Sequence, residues 1–471
     1  MLDLNLNHNI SKIILSFFPK NYSTFFSSEQ VKKFRLDYIQ KEYSSLQKSQ
    51  WFKLRDIEKL QLKKLKAYVS FVYYNIPFYR RKFREIGVTP YDINSLKDLE
   101  KIPIINKNIV RKNLGNILFP NCSFYLTFST SGSTGKPFKL PVSFDAVKMR
   151  DALLQRFFSW TGCDPGKDKI MGIFRPPSVP GAAINTSNHV FRGLKYLLKN
   201  QLLWTPRKID FNETFQTFFI MNKFEPKLIH TIPNVLRPLL KFKEEFDVDF
   251  PDSLKYVSLG GEPISVKEFQ KQLDAEIFMR YGANDVAQRI ADECKEHSGL
   301  HINMENHIVE IVKDNEAVQN EGEKGEVVIT DFHNFDAPLI RYNVEDVSEF
   351  MFDRCTCGRE LEKLGRVYGR KTDLLLSSKG KLVTDVEWIF QTLDDVEHFR
   401  IIQKRIDKVV VLVVPGHGFS ERTEQYIVSI LQRLLGMTTH VEVKIVDKIP
   451  SAQKFRFIIS KISQKYFEGI L

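Results

Sequence analysis

Between residues 29 and 71 apolar positions recur every three or four residues, Phe34 with Tyr38 and Ile57 with Leu60 and Leu65, and the positions between them are largely Lys, Arg and Gln. That period predicts helices with one buried stripe and a basic outer face. A strand is predicted over 125–128, and nine residues that are almost all Ser, Thr and Gly follow it, ending in Lys136 and Pro137. The helical period returns over 144–160 and is closed by Trp160-Thr161-Gly162 and Pro165-Gly166. Short mixed elements run to about residue 250. The stretch 254–265 then reads as a buried strand ending at Gly260 and Gly261, with a helix over 266–273 and a strand over 276–280 that enters Tyr281-Gly282. Strand, glycine turn, helix and strand is the alternation of a parallel α/β sheet, in which ligands sit at the carboxyl ends of the strands.

From residue 307 the pattern turns β-rich, through HIVEIV, GEVVITDF and PLIRYNVEDVSEF. After GRKTD at 369–373 it restarts with a strand, a helix over 385–393, VVVLVV at 409–414, a helix near 421–435 and a last strand, HVEVKIV. The chain is therefore expected to be α/β. A large domain over 1–369 carries parallel sheets and a β-rich subdomain, and a small α/β domain follows over 370–471. Residues 1–30 are expected to pack loosely on the main body.

Composition adds constraints. The 471 residues, 43% hydrophobic, suffice for more than one core, and the net charge of +12 is concentrated in 31–86, which holds 15 basic and 5 acidic side chains. An anionic membrane surface or a polysaccharide assembly complex suits such a face, as does plain solvent. No nucleic-acid partner is expected, because no aromatic-basic recognition module appears. No run reaches the 18 or so apolar residues of a membrane helix, and the apolar stretch at 10–18 contains Lys12 and lacks the flanks of a secretion signal. Five cysteines, an odd number, fit a reducing cytoplasm.

Candidate chemistry centres on YLTFSTSGSTGKP at 125–137. Small residues let backbone N–H groups approach an anion, hydroxyls add donors, and Lys136 supplies a point charge. It is not a Walker loop, since Gly132 and Gly135 enclose two residues and proline follows the lysine. Separately, Cys294, His301, Cys355 and Cys357 could supply three thiolates and an imidazole to a tetrahedral zinc ion, with His297 and His307 as competing nitrogen ligands; buried free thiols are the alternative.

The string TSGSTGKP resembles the nucleotide-phosphate loop of the adenylate-forming enzymes. Within that superfamily the chain most resembles the phenylacetate-CoA ligases and their capsular polysaccharide biosynthesis relatives, a likeness extended upstream by YNIPFYRRKFREIGV and SLKDLEKIPIINK. The resemblance implies an adenylate-forming large domain whose small partner swings about a hinge at Asp373. It assigns Ser131, Gly132, Ser133, Thr134, Gly135 and Lys136 to the β- and γ-phosphates of ATP, and Gly260, Gly261, Glu262 and Pro263 to the adenine side. In Tyr281-Gly282-Ala283-Asn284-Asp285 it implies an aromatic ring stacked on adenine, a contact to the α-phosphate and a magnesium carboxylate. Here Asn284 stands for the family threonine and Asp285 for its glutamate. Asp346, in Arg341-Tyr342-Asn343-Val344-Glu345-Asp346, takes the ribose hydroxyls, Arg370 the ribose side, and Lys454 the role of the catalytic lysine, with Gln453 where the family has glycine.

The implied reaction activates a small carboxylic acid with ATP and Mg2+ to an acyl-AMP and then passes the acyl group to a thiol, coenzyme A. The acid pocket is expected partly over 228–239, where His230, Thr231 and Pro233 mix polarity. Transfer of an acyl or aminoacyl group to a capsular polysaccharide or carrier protein is the second reading, and a catalytically degenerate binding or assembly protein the third. A homodimer is a further expected partnership.

Overall fold

The computed structural model describes residues 28–120, 126–130, 138–174, 200–206, 211–261, 266–286, 289–383, 386, 389–390, 393, 395–449 and 457–467. The basic, periodic N-terminal stretch forms two long helices, Ser28–Ser49 and Leu54–Asn75. Ile57, Leu65, Tyr68, Val69 and Val72 make the buried stripe of the second. Tyr68 and Tyr79 donate to the carbonyls of Asn334 and Pro338, which fastens this segment to the β-rich region more than 250 residues away.

A nine-stranded sheet forms the centre of the large region. Five strands run parallel in the order Glu276–Tyr281, Tyr256–Gly260, Leu228–Thr231, Ile170–Ile173 and Gln201–Trp204. Their buried runs of Ile, Leu, Val and Phe suit a sheet covered on both faces. Antiparallel strands Ala291–Glu293, Leu300–Ile302, Lys363–Leu364 and Phe350–Met351 extend it. A second, six-stranded sheet holds the β-rich segments His307–Lys313, Gly325–Asp331 and Tyr342–Ser348, with Gly369–Arg370 paired to the last of these.

The predicted helix over 144–160 is found as Phe144–Trp160, capped by Ser143, whose hydroxyl accepts from the Ala146 amide. The strand expected at 125–128 runs Leu126–Thr130. It pairs antiparallel with Phe138–Val142, a strand the sequence reading had not separated from the loop, so the Ser/Gly-rich stretch connects two strands of a hairpin.

From Leu375 onward the chain builds its own four-stranded sheet, ordered His440–Ile445, Lys408–Pro415, Val396–Arg405 and Ile458–Ser460. Helix Glu421–Leu435 packs Ile427, Leu431 and Leu435 into a separate hydrophobic core with Val409, Val411 and Val413. The helix expected over 385–393 lies largely outside the described residues. Among the described residues no helix is long and apolar enough to cross a membrane.

Candidate active site

Among the described residues, three of the sequence motifs, those of Tyr281, Asp346 and Arg370, meet at the end of the Glu276–Tyr281 strand. Tyr281 is buried, and its hydroxyl donates to Asp346 Oδ2 at 2.9 Å. Burial raises the Tyr281 pKa well above the ordinary phenol value, with the Asp346 charge adding to it, so the proton stays on the phenol. Asp346 lies on Tyr342–Ser348 in register with Arg370. Two motifs 65 residues apart thus share a hydrogen bond, and a third sits on the neighbouring strand.

Immediately after Tyr281 the chain makes a short 3₁₀ turn, Asn284–Val286, which leaves Asn284 exposed and Asp285 buried. Asp285 Oδ2 accepts from the Tyr342 hydroxyl at 2.6 Å and lies 3.8 Å from Lys107 Nζ. Its other oxygen, Oδ1, is buried and has no hydrogen-bond partner among the described residues. A buried carboxylate oxygen left unmatched is costly, and such an atom marks a place made for a cation or donor. Burial lowers the Lys107 pKa, opposed by the Asp285 charge. The same turn packs against the Leu126–Thr130 strand, which brings the entrance of the Ser/Gly-rich loop to Asp285.

Lys107 and Tyr342 were not among the expected site residues. Lys107 opens the helix Lys107–Lys112, whose N-cap Asn106 accepts from the amides of Asn108 and Ile109, and it follows a two-residue strand paired with Tyr342 and Asn343. Arg341 serves the frame instead: it forms a two-pronged pair with Glu310 and donates to the carbonyls of Glu100 and Ile102.

Gly260 and Gly261 are needed for different reasons. A Cβ on Gly260 would stand 2.4 Å from the Arg280 carbonyl oxygen and 2.6 Å from Arg280 Cγ, whereas Gly261 adopts a φ of +90°. Ser131, Gly132, Ser133, Thr134, Gly135, Lys136, Glu262, Pro263 and Lys454 lie outside the described residues. Gly282 is partly buried beside Tyr281, and Asp373 closes the 3₁₀ turn Lys371–Asp373. That turn is tied to the second sheet by Lys371 Nζ to Glu326 Oε1 at 2.9 Å, and to the C-terminal helix Lys461–Phe467 by the Ser463 hydroxyl, which donates to the Lys371 carbonyl.

A second cluster gathers Cys294, His301, Cys355 and Cys357, whose ligand atoms all lie within 4.8 Å of one another. Cys294 follows strand Ala291–Glu293, His301 sits on the paired strand Leu300–Ile302, and the two other cysteines come from the loop before Lys363. The Sγ atoms of Cys294 and Cys355 are 3.7 Å apart, and Cys357 Sγ is 3.4 Å from His301 Nε2. Burial pushes Cys294 up to about 12, whereas Cys357 falls to about 5 because hydrogen bonds with His301 and Arg359 outweigh its burial. The competing histidines point elsewhere: His297 to Glu276 and Glu293, His307 to the Arg289 carbonyl. Trp160 lies edge-on to His301, and Arg359 stacks between Trp51 and Trp160 at 4.6 Å from each, so the N-terminal helices meet the sheet here.

This arrangement has the fold of ligases that work through acyl-adenylates. The structure of 2-hydroxyisobutyryl-CoA ligase in its postadenylation state aligns with a TM-score of 0.70 at 17% identity, covering 89% of this chain and 93% of that one. The same ligase in the thioesterification state aligns at 0.60, covering 87% and 91%. In sequence, the chain is 26% identical over 385 residues to phenylacetate-coenzyme A ligase of Thermus thermophilus, covering 79% of this chain and 84% of the relative. It is 23% identical over 425 residues to protein CapK of Staphylococcus aureus, covering 86% and 90%. Residues 375–461 match the CapK C-terminal domain. The chain is thus similar over most of its length to phenylacetate-coenzyme A ligases and to protein CapK, and a stretch within its last quarter matches the CapK C-terminal domain.

Proposed function

We propose that the protein activates a carboxylic acid with ATP and then transfers the acyl group to the thiol of coenzyme A. A carboxylate oxygen attacks the α-phosphorus and pyrophosphate leaves; the thiolate sulfur next attacks the acyl carbon and AMP leaves. The observation that carries this reading is the convergence of Tyr281, Asp285, Asp346 and Arg370, from separate stretches, on one strand end beside the root of the Ser/Gly-rich loop. Asp346 would accept the ribose hydroxyls. Tyr281 would set its ring against adenine while its hydroxyl fixes the Asp346 carboxylate, and Ser131–Lys136 would cradle the phosphates. Asp285 would hold magnesium through Oδ1, since a hard cation takes a carboxylate oxygen of this kind. Asn284 would donate to the α-phosphate and Lys454 would bridge it to the attacking carboxylate. We place the boundary between a large domain, 1–369, and a mobile small one, 370–471, at the Lys371–Asp373 turn, and the reaction in the cytoplasm.

The four-residue cluster would hold a structural zinc ion. Zn–S bonds of about 2.3 Å and a Zn–N bond of about 2.0 Å at tetrahedral angles place sulfurs about 3.8 Å apart and sulfur and nitrogen about 3.5 Å apart. The separations of 3.7 and 3.4 Å fit that set. A second reading, favoured by the CapK C-terminal match, keeps the adenylate but gives the acyl group to a capsular polysaccharide or carrier protein. The deciding assay measures pyrophosphate release with a panel of acids and then thioester formation on adding coenzyme A. Pyrophosphate without thioester supports the second acceptor class, and no pyrophosphate with any acid rejects adenylation.

A further inference from the structure

Arg280 precedes Tyr281, and successive side chains of a strand point to opposite faces. Tyr281 reaches Asp346 on the nucleotide side. Arg280 goes the other way. Its stem passes over Gly260 on the next strand, whose missing side chain makes the room, and its guanidinium donates to the Thr231 carbonyl on the strand beyond at 3.0 Å. The guanidinium carbon lies 5.9 Å from the ring of Phe174, just past the end of strand Ile170–Ile173. One arginine therefore crosses the carboxyl ends of the parallel strands, where an open α/β sheet takes its ligand.

The neighbouring arginines each have a carboxylate: Arg289 pairs with Asp292 at 2.6 Å, Arg156 with Glu305 at 2.7 Å and Arg150 with Asp151 at 2.7 Å. Among the described residues Arg280 has none, and its Nε is buried without an acceptor. Burial, with the Arg289 charge, brings its pKa down to about 9 against the pull of Asp292. A half-buried arginine whose Nε is shut away from water, with like charge nearby and that donor unspent, lacks an anion. The flanking side chains do not supply one: His230 is engaged with the Ser258 hydroxyl at 2.9 Å and packs edge-on to Phe158 and Phe174.

Resting on the adenylation reading, we propose that the acid activated here is a dicarboxylic acid, whose second carboxylate is received by Arg280 while the first is presented to ATP. Arg280 is then a specificity-determining residue, and the planar fork of its guanidinium suits a carboxylate better than an ammonium would.

The test uses the full chain with succinic, glutaric and homophthalic acids, each beside its own monoamide, which keeps the size and removes the second charge. Pyrophosphate release should favour at least one diacid over its monoamide by on the order of 10²-fold in kcat/KM, since a site built for a polar group rejects the analogue that lacks it. Arg280→Met should collapse that ratio toward one, and Arg280→Lys should keep part of it. A monoamide preferred in every pair, or a ratio unmoved in Arg280→Met, overturns the proposal. Thermal-shift titration with the same pairs needs no turnover and separates the two failures. A diacid-specific shift in wild type that Arg280→Met abolishes, without pyrophosphate release, sustains Arg280 and rejects adenylation. Equal shifts within every pair reject Arg280. Because the diacid–monoamide comparison in wild type decides by itself, the test survives a variant that fails to fold.

Discussion

Asp346 and Asp285 are both carboxylates touched by a tyrosine hydroxyl, but Asp285 is buried and Asp346 only half-buried, and the two are set for different tasks. Asp346 sits opposite Arg370, whereas Asp285 keeps one oxygen unmatched beside Lys107. Asp346→Ala should raise the KM for ATP by roughly 10- to 100-fold, the equivalent of one charge-assisted hydrogen bond of about 1.5–3 kcal/mol. Tyr281→Phe should cost less, because it removes only the donor that orients the carboxylate. Steady-state kinetics against ATP checks both, and an unchanged KM in a folded Asp346→Ala protein removes Asp346 from the nucleotide site. Asp285→Asn should instead shift the magnesium dependence, read as the metal concentration at half-maximal pyrophosphate release. Aligned motifs made these residues legible in the sequence. Lys107 was hidden by its surroundings, one lysine among 69 basic residues, and only the pairing of Ile105–Asn106 with Tyr342 and Asn343 brings it to Asp285.

At the level of elements, periodicity gave the two helices Phe144–Trp160 and Glu421–Leu435 with their observed limits, because each has a broad apolar stripe and a polar residue at its start. It missed Phe138–Val142, since the Lys and Pro in that strand blur the alternation on which a strand prediction rests. The cysteine cluster was legible as a set of residue types, but the choice of His301 over His297 needed the register of Leu300–Ile302 against Ala291–Glu293. If zinc is held there, elemental analysis should give about one ion per chain. Stripping it with a chelator should lower the melting temperature, because the site joins two strands, a loop and the aromatic contacts of the N-terminal helices. Absence of stoichiometric metal, with melting indifferent to chelator, would remove the zinc assignment.

His297, left out of that cluster, links the turn after Ala291–Glu293 back to strand Glu276–Tyr281 through Glu293 and Glu276. The hydrogen bond with Glu293 chiefly raises its pKa to about 9, burial opposing and Glu276 adding. A folded pKa above the unfolded value of about 6.5 means that the contribution is fully present below that pH and fades as pH rises through 9. The melting temperature of wild type should therefore fall between pH 7 and 10 more than that of His297→Gln. Parallel curves would show that the pair is screened by solvent, as partly exposed ion pairs often are.

For the whole molecule, the proposed two-step reaction requires the unit that starts near Leu375 to move against the large region. The two regions have separate cores, and they meet around the Lys371–Asp373 turn, where Lys371 pairs with Glu326 and Leu374, Leu382 and Tyr466 pack with Val347 and Tyr368. A junction of one ion pair and one small apolar cluster is compatible with two poses that differ by a few kcal/mol, which the proposed swing requires. The proposed role of Lys454 follows from such motion. It should contact the α-phosphate and attacking carboxylate in one pose and leave the site in the other. Lys454→Ala should then slow acyl-AMP formation by at least about 10²–10³-fold, the loss expected when one transition-state charge contact of roughly 2.7–4 kcal/mol is removed. The thiol step, started from synthetic acyl-AMP and coenzyme A, should stay close to wild type. Lys371→Met loosens the junction without touching the chemistry, and it should change the ratio of the two half-reaction rates rather than abolish either. Equal losses in both half-reactions for Lys454→Ala would mean that one static arrangement serves both steps, and the swing would have to be given up for this protein.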